Sequence, residues 1–273
     1  MCILFVYRNI YANANNYRLI VASNRDENFN RPAVPARFWE KYPHCLGGMD
    51  MEPGREGGSW LSLSTKGHAG VLLNLPGETR STESAGQNRG FLVKDYVTSE
   101  MSPESYLNEL HLKNQKNQYD PYNLILINLR TAAVYYLNSS ENSPGHVVCQ
   151  DNVIGFGNSL LDTPLKKVEA GKKWFQKIVE NVTVSNEESL IEDLIKLLGN
   201  REKCLPDPEL KRRCTNYYEE LSSIFVEILN VYGTRTHSVL LVDGANRVKF
   251  VEKTLMPDHT WNYETFNVTL EGE

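Results

Sequence analysis

Short apolar runs recur along the chain and are separated by longer stretches with a helical pattern of apolar positions. Strands are predicted over residues 2–7, 17–23, 59–63, 68–74, 122–128, 133–137, 152–159, 236–243, 247–253 and 262–270. Helices are predicted over about 89–99, after Ser102-Pro103, from Thr163-Pro164 to about Val179, from the capping box at Ser185 to Gly199, and after Tyr217. Residues 31–58 contain many Pro and Gly and predict a loop.

The order of these elements indicates the fold class. Strands, helices, strands, helices and strands follow one another without an internal repeat or a Ser- or Pro-rich linker. This order is typical of an α+β fold with antiparallel sheets and helices packed on their outer faces. A chain of 273 residues can bury a substantial core. We therefore predict a single α+β domain over residues 1–273.

Composition excludes several classes of function. The chain is 41% hydrophobic and 23% charged with a net charge of −5, which argues against a nucleic acid partner. The one compact basic cluster, Lys211-Arg212-Arg213, is interpreted as a solvated segment ahead of a helix. No apolar run is long enough for a membrane span, and no secretory signal is recognised at the N-terminus.

The cysteines indicate the compartment. There are five, at positions 2, 45, 149, 204 and 214, without a Cys-x-x-Cys pair. An odd and scattered set favours reduced thiols in a cytosol-like compartment, and argues against a structural metal site and against covalently attached haem.

Cys2 is the candidate nucleophile. Removal of Met1 would leave a chain that begins with a thiol and a free α-amine on the same residue. The ordinary pKa values of these groups, about 8.5 and about 7.7–8.0, lie close to neutral pH. An N-terminal-nucleophile amidohydrolase needs this arrangement, because the amine takes the proton of the attacking thiol. A buried small residue near a chain end is the alternative.

Four further residues suit the support that such a nucleophile needs. Asp26 ends the strand predicted to pair with the Cys2 strand, so that its carboxylate can reach the amine. Asn74 and Asn158 follow strands and can direct amide groups at an oxyanion. Arg235 precedes an apolar strand and can steady the thiol or a substrate carboxylate. Each of the four also has a structural reading, as a turn residue or as the partner of a buried acid.

The motifs resemble those of a known family. They are Met1-Cys2, Asn24-Arg25-Asp26-Glu27, Glu56-Gly57-Gly58-Ser59-Trp60-Leu61, Gly157-Asn158-Ser159 and Tyr232-Gly233-Thr234-Arg235. With them the chain resembles the NRDE family, the transport and Golgi organisation protein 2 family, from residue 1 to 270. More distantly, it resembles choloylglycine hydrolases and penicillin V acylases. Those are cysteine N-terminal-nucleophile hydrolases, and the resemblance implies their four-layer αββα sandwich.

The resemblance also implies roles for residues. Cys2 would be the nucleophile and Asp26 the group that holds its amine, with Asn24 and Arg25 in support. Asn74 and Asn158 would be oxyanion and positioning donors, and Arg235 would steady the thiol. One departure is that the hydrolases carry an Arg at the position of Ser23. On a strand Arg25 shares the face of Ser23 and could supply the missing charge.

Three functions follow as hypotheses. The NRDE family is implicated in haem trafficking, Golgi organisation and lipid homeostasis, and is linked to the cytoplasm, Golgi and mitochondria. The first hypothesis is therefore a haem-trafficking and Golgi-organisation factor with haem as cargo. The second is a cysteine amidohydrolase that cleaves a linear amide of a small molecule, and the third is a non-enzymatic interaction factor of the secretory pathway. No pair among the six His has ligand-like spacing, so the residues themselves support the second hypothesis most directly.

Overall fold

A computed structural model describes residues 1–78, 88–114, 119–140 and 145–272. The chain forms two compact units. The first unit contains Met1–Asn30 and Asp151–Leu270, and the second contains Arg31–Gln150 and Glu271–Glu273. Each unit holds one antiparallel sheet of seven strands. The single domain over residues 1–273 stays a prediction.

The elements of the first unit come from both ends of the chain. Its strands are β1 (Ile3–Arg8), β2 (Tyr17–Asn28), β10 (Val153–Phe156), β11 (Glu227–Ile228), β12 (Tyr232–Asp243), β13 (Arg247–Leu255) and β14 (Trp261–Thr269). Its helices are α3 (Lys166–Val179), α4 (Glu187–Leu198) and α5 (Pro208–Arg213). The strand order is β10-β1-β2-β12-β13-β14, and β11 pairs with β12.

The second unit is formed by the middle of the chain. Its strands are β3 (Ala33–Trp39), β4 (Tyr42–Asp50), β5 (Leu61–Ser64), β6 (His68–Asn74), β7 (Tyr122–Asn128), β8 (Ala133–Asn138) and β9 (Val147–Cys149). They are hydrogen-bonded in sequence order. Its helices are α1 (Phe91–Thr98) and α2 (Pro103–Asn114), which pack on this sheet and bury Tyr96, Leu107 and Leu110.

Strand alternation positions the N-terminus of the first unit. Ile3 and Phe5 of β1 and Ile20 and Ala22 of β2 belong to the core that α3 and α4 cover. Side chains two residues apart share a face of a strand, so the side chains of Asn24 and Asp26 lie on this helix-covered face as well. Met1 belongs to the same core. Alternation directs Cys2 to the opposite face of the sheet.

The predicted pattern was wrong in two regions. The loop predicted for residues 31–58 contains strands β3 and β4. β3 is an edge strand with a register shift between Val34 and Arg37, and such irregular edges tolerate Pro35. The sequence pattern therefore predicts a loop at a position where strand β3 forms.

The helix predicted after Tyr217 is a single 3₁₀ turn, Glu220–Ser222, and α5 lies before it instead. Asp207 begins α5, because its carboxylate accepts a hydrogen bond from the backbone N–H of Leu210, with Pro208 in the first turn. The basic cluster Lys211-Arg212-Arg213 therefore belongs to a helix. Among the described residues, no helix is both long and apolar enough to cross a bilayer.

Candidate functional site

The N-terminal ammonium lies in a buried polar cluster. Its nitrogen is 3.2 Å from Oδ2 of Asp26, and neither side chain is appreciably exposed, at 5% for Met1 and 0% for Asp26. The ammonium also donates to the hydroxyl of Tyr232. Thr234 donates its hydroxyl to the other carboxylate oxygen, Oδ1 of Asp26, at 2.7 Å. The carboxylate predicted to hold the N-terminal amine is therefore in contact with the N-terminus of the chain that carries Met1.

The pairing of strands explains this contact. β2 lies between β1 and β12, with Ile3 opposite Asn24 and Asp26 opposite Thr234. The register between β2 and β12 shifts at Thr234 and Thr236, next to Asp26. A register shift of this kind re-aims side chains, and shifts are common beside functional sites.

The thiol of Cys2 is only partly buried. Its sulfur accepts a hydrogen bond from the backbone N–H of Asp26 at 3.3 Å and lies 3.7 Å from the carbonyl oxygen of the same residue. Burial raises the pKa of the Cys2 thiol above its ordinary value, although the nearby ammonium and the guanidinium of Arg25 lower it. In the chain that carries Met1 the thiol is therefore mostly protonated, which is not the state of an activated nucleophile.

Lys167 is a site residue that the sequence reasoning missed. Its side chain is fully buried, and its Nζ donates to the carbonyl oxygens of Met1 at 2.9 Å and Ser223 at 3.0 Å. Burial lowers the pKa of this amine. The sequence contains a signal for the burial of this lysine, because Lys167 adjoins Val168 and lies four residues before Gly171 on the buried face of α3.

Tyr232 was recognised in a motif but was given no role. Its hydroxyl donates to the carbonyl oxygen of Asp26 at 3.1 Å while it accepts from the ammonium. Burial raises the pKa of Tyr232 well above its ordinary value, so the hydroxyl stays protonated at neutral pH.

Asn24 joins the sheet to the helices rather than to the thiol. Its Nδ2 donates to the carbonyl oxygens of Leu198 at 2.9 Å and Ile224 at 3.0 Å. Its Oδ1 lies 2.6 Å from Nδ1 of His237. Because this oxygen can only accept, Nδ1 carries the proton of the imidazole and Nε2 keeps its lone pair.

Arg235 and Arg25 both lie close to the cluster, and they contact different partners. Arg235 directly follows Thr234, is 8% exposed, and donates from Nη1 to the carbonyl oxygen of Asn28 at 3.0 Å. Arg25 is buried, with Nη2 at 3.8 Å from a carboxylate oxygen of Glu27, and its charge acts on the Cys2 thiol. The role of Arg235 in steadying the thiol stays a prediction.

The two candidate oxyanion donors belong to different units. Asn158 is buried in the first unit, two residues after β10, the strand that pairs with β1. Asn74 is exposed at the end of β6 in the second unit, opposite Tyr122 in the register. Their roles as oxyanion donors stay predictions.

Comparison with known proteins places the chain in a family. Residues 1–257 match the model of the family described as Transport and Golgi organisation 2. The Transport and Golgi organization protein 2 of Drosophila melanogaster is 38% identical over 285 residues, which cover 96% of each chain. The Transport and Golgi organization 2 homolog of Mus musculus is 34% identical over 282 residues, the full length of both chains.

A solved structure shares the fold. It is a mutant of the conjugated bile acid hydrolase from Clostridium perfringens, with a TM-score of 0.52 and 8% sequence identity over 99% of this chain and 92% of that one. At this identity the similarity concerns the fold alone, and it confirms the predicted α+β fold of N-terminal-nucleophile hydrolase type. The chain belongs to the Transport and Golgi organisation 2 family.

Proposed function

We propose that this protein is a cysteine amidohydrolase that acts after Met1 has been removed. The observation that carries the proposal is the buried pairing of the N-terminal ammonium with Asp26 beside the thiol of Cys2. An N-terminal nucleophile needs a carboxylate that holds and orients its amine. Asp26 holds the ammonium of Met1 in the present chain and would hold the amine of Cys2 once Met1 is removed, and Thr234 fixes the carboxylate from its other side.

The proposed reaction is the hydrolysis of a linear amide. The thiol of Cys2 attacks the amide carbonyl, and its proton passes to the α-amine of the same residue. The amine of the substrate leaves with that proton, and a thioester remains on the sulfur. Water then attacks the thioester, which releases the carboxylic acid and returns the proton to the thiol. Asn158, which is buried in the same unit as Cys2, is the proposed donor to the oxyanion of each step.

Retention of Met1 opposes this chemistry. In the longer chain the Cys2 nitrogen belongs to a peptide bond and cannot accept a proton, and the pKa of the thiol is raised. We therefore propose that the chain that carries Met1 is the inactive form.

The test uses protein from its native cell type and a series of N-acyl aminomethylcoumarins, from acetyl to palmitoyl, as fluorogenic amides. Intact mass should show a chain that begins at Cys2. Cys2→Ala should abolish hydrolysis, while Cys45→Ala, which removes a buried thiol of the second unit, should retain it. A chain that keeps Met1, a processed chain that cleaves none of these amides, or an active Cys2→Ala variant would each overturn the proposal.

Haem carriage is the second candidate, and His237 favours it. Burial, together with Lys253, lowers the pKa of His237 to about 3, so the imidazole is neutral at pH 7. With the proton on Nδ1, Nε2 has the lone pair that an axial ligand requires. The ring is buried, stacks on Trp261 with centroids 5.1 Å apart and lies 5.8 Å from Phe225, so its surroundings are aromatic.

Titration with haemin separates this candidate from the first. A carrier should show a Soret shift with one equivalent of haemin that His237→Ala abolishes and His44→Ala, in the second unit, leaves unchanged. A shift that is equal in both variants would exclude His237 as the ligand. A protein that neither hydrolyses amides nor binds haemin would fit the third hypothesis, an interaction factor of the secretory pathway. The names of the relatives concern Golgi organisation.

A further inference from the structure

Lys167 lies beneath the N-terminus in the first unit. It is the second residue of α3, and its side chain is 0% exposed. Its Nζ donates to the carbonyl oxygen of Met1, which is the acyl oxygen of the peptide bond to Cys2. The second acceptor is the carbonyl oxygen of Ser223, in the segment that follows the 3₁₀ turn. The lysine therefore holds the first peptide unit of the chain from the side of the helices.

Lys167 is a charged type of side chain in a fully buried position. Within the part of the chain that the structure describes, Lys167 forms no ion pair, and both of its acceptors are backbone carbonyls. A buried ammonium without a paired carboxylate is strongly disfavoured relative to an apolar side chain of similar length. The neighbours Leu165 and Val168 are core residues, so packing alone would be satisfied by methionine.

The charged and titratable groups around Lys167 come from several elements. They are Asp26 on β2, Asp207 at the start of α5, and the thiols of Cys2, Cys204 and Cys214. Asp207 already accepts from the backbone N–H groups of Lys166 and Leu210. Asp26, which holds the N-terminal ammonium, also acts electrostatically on the amine of Lys167 without an ion pair to it.

Removal of Met1 changes the partners of Lys167. The Met1 carbonyl is lost, and the nitrogen to which it was bonded becomes the α-amine of Cys2. The carbonyl oxygen and nitrogen of a peptide unit are about 2.3 Å apart, so Nζ lies within about 5.2 Å of this nitrogen if the backbone stays in place. Two amines at such a distance in a buried site disfavour each other's charge, and the α-amine loses its proton first because its ordinary pKa of about 7.7–8.0 lies below that of lysine, about 10.4.

We propose that Lys167 is a positioning residue of the Cys2 site, and that its amine keeps the α-amine of Cys2 neutral in the chain without Met1. The inference rests on the proposed function. A neutral α-amine is the form that can accept the proton of the thiol. The positive charge of Lys167 thus lowers the pKa of the α-amine, as a nearby cation does for other buried amines.

The test follows the α-amine directly by NMR in processed protein labelled with [¹³C,¹⁵N]cysteine. The signal of residue 2 is identified by its loss in Cys2→Ala, and its titration gives the midpoint of the α-amine. Lys167→Met should raise this midpoint by about one pH unit or more, so that about tenfold less amine is neutral at pH 6. Lys173→Met, on the exposed face of the same helix, is the matched control and should leave it unchanged.

A conservative variant guards against a structural explanation. Lys167→Arg keeps the charge and should keep the midpoint low, whereas Lys167→Gln should raise it as Lys167→Met does. If Lys167→Met does not fold by circular dichroism, Lys167→Gln carries the same expectation. A loss of packing alone would affect folding in all variants and would not follow the charge.

The two proposals fail in different ways. A chain that retains Met1, or a processed chain without amide hydrolysis, overturns the proposed function and this inference with it. A processed and active protein with the same α-amine midpoint in Lys167→Met, Lys167→Gln and Lys173→Met overturns the role of Lys167 alone.

Discussion

The two units bury different kinds of polar side chain. Among the described residues, every buried charged side chain belongs to the first unit: Arg25, Asp26, Lys167, Asp207, Arg213, Arg235, Asp243 and Glu252. The buried polar residues of the second unit are Ser59, Ser62, Ser64, Asn123 and Asn138, beside the buried tyrosines of its core. A buried charge is destabilising unless it is paired, so a unit that keeps several of them retains them for a reason other than packing.

Buried charged side chains are concentrated in the first unit of the described chain. In the second unit, buried hydroxyl groups such as those of Tyr136 and Ser59 donate to neutral partners. The first unit collects acids and bases around the N-terminus, with Asp26 as the shared partner. Perturbed and buried titratable groups cluster at functional sites more often than elsewhere. Three pairs of variants compare a residue of the first unit with a matched residue of the second, and a fourth pair lies within the second unit.

The largest difference is expected for the two aspartates that form ion pairs. Asp26→Asn leaves the N-terminal ammonium buried without its counter-charge and should lower the free energy of unfolding by about 3 kcal/mol. Asp50→Asn breaks the partly exposed pair with Arg31 and should lower it by about 1 kcal/mol or less. Urea unfolding of both variants measures the difference. Equal losses would mean that the buried pair is worth no more than a surface pair.

The next effect is a dependence of stability on pH. The pKa of His237 is about 3 in the folded chain, below the ordinary value of 6.5, so the unfolded state takes up the proton first. Its contribution is fully present above pH 6.5 and is lost progressively as the pH falls from 6.5 towards 3. Between pH 7 and pH 5 the loss should reach about 2 kcal/mol.

Denaturation of His237→Gln at pH 7 and at pH 5 measures this loss, because the variant lacks the histidine and should not show it. His68 in the second unit is the comparison, because burial lowers its pKa too, but its ring is partly exposed. His68→Gln should therefore remove a smaller part of the pH dependence. If both variants lose stability with falling pH just as the unmodified protein does, other groups control the effect.

Two glycines test how closely helices approach the sheets. A Cβ at Gly171 of α3 would clash with the ring of Phe5 and lie 2.9 Å from Cδ1 of Ile224. A Cβ at Gly70 of β6 would meet Cγ1 of Val93 at 3.2 Å. Gly171→Ala should destabilise by about 2 kcal/mol through overpacking, although alanine favours the helix. Gly70→Ala should stay within about 1 kcal/mol. A stabilised Gly171→Ala variant in thermal unfolding would mean that α3 can move away from β1.

The sequence predicted the parts of the site that a motif or a strand end marks. Cys2 and Asp26 were identified because a terminal thiol and an acid at the end of the paired strand have recognisable settings, and the structure places the thiol of Cys2 against the backbone of Asp26. Lys167 and Tyr232 come from distant elements, and only the folded chain shows that they meet the N-terminus. Strand β3 was missed for a local reason, because Pro32 and Pro35 look the same in an irregular edge strand and in a loop.

The smallest effect is expected for two buried tyrosines of the second unit. Tyr136 donates its hydroxyl to Oδ1 of Asn123 at 2.9 Å, and both residues are buried. Tyr96 is fully buried, and among the described residues its hydroxyl has no hydrogen-bond partner. Tyr136→Phe should lower the free energy of unfolding by about 1 kcal/mol, because a buried acceptor loses its donor. Tyr96→Phe should be neutral or slightly stabilising, because it removes a polar group that burial penalises. Urea unfolding decides between them, and a destabilised Tyr96→Phe variant would show that the second unit also contains a polar contact that its stability requires.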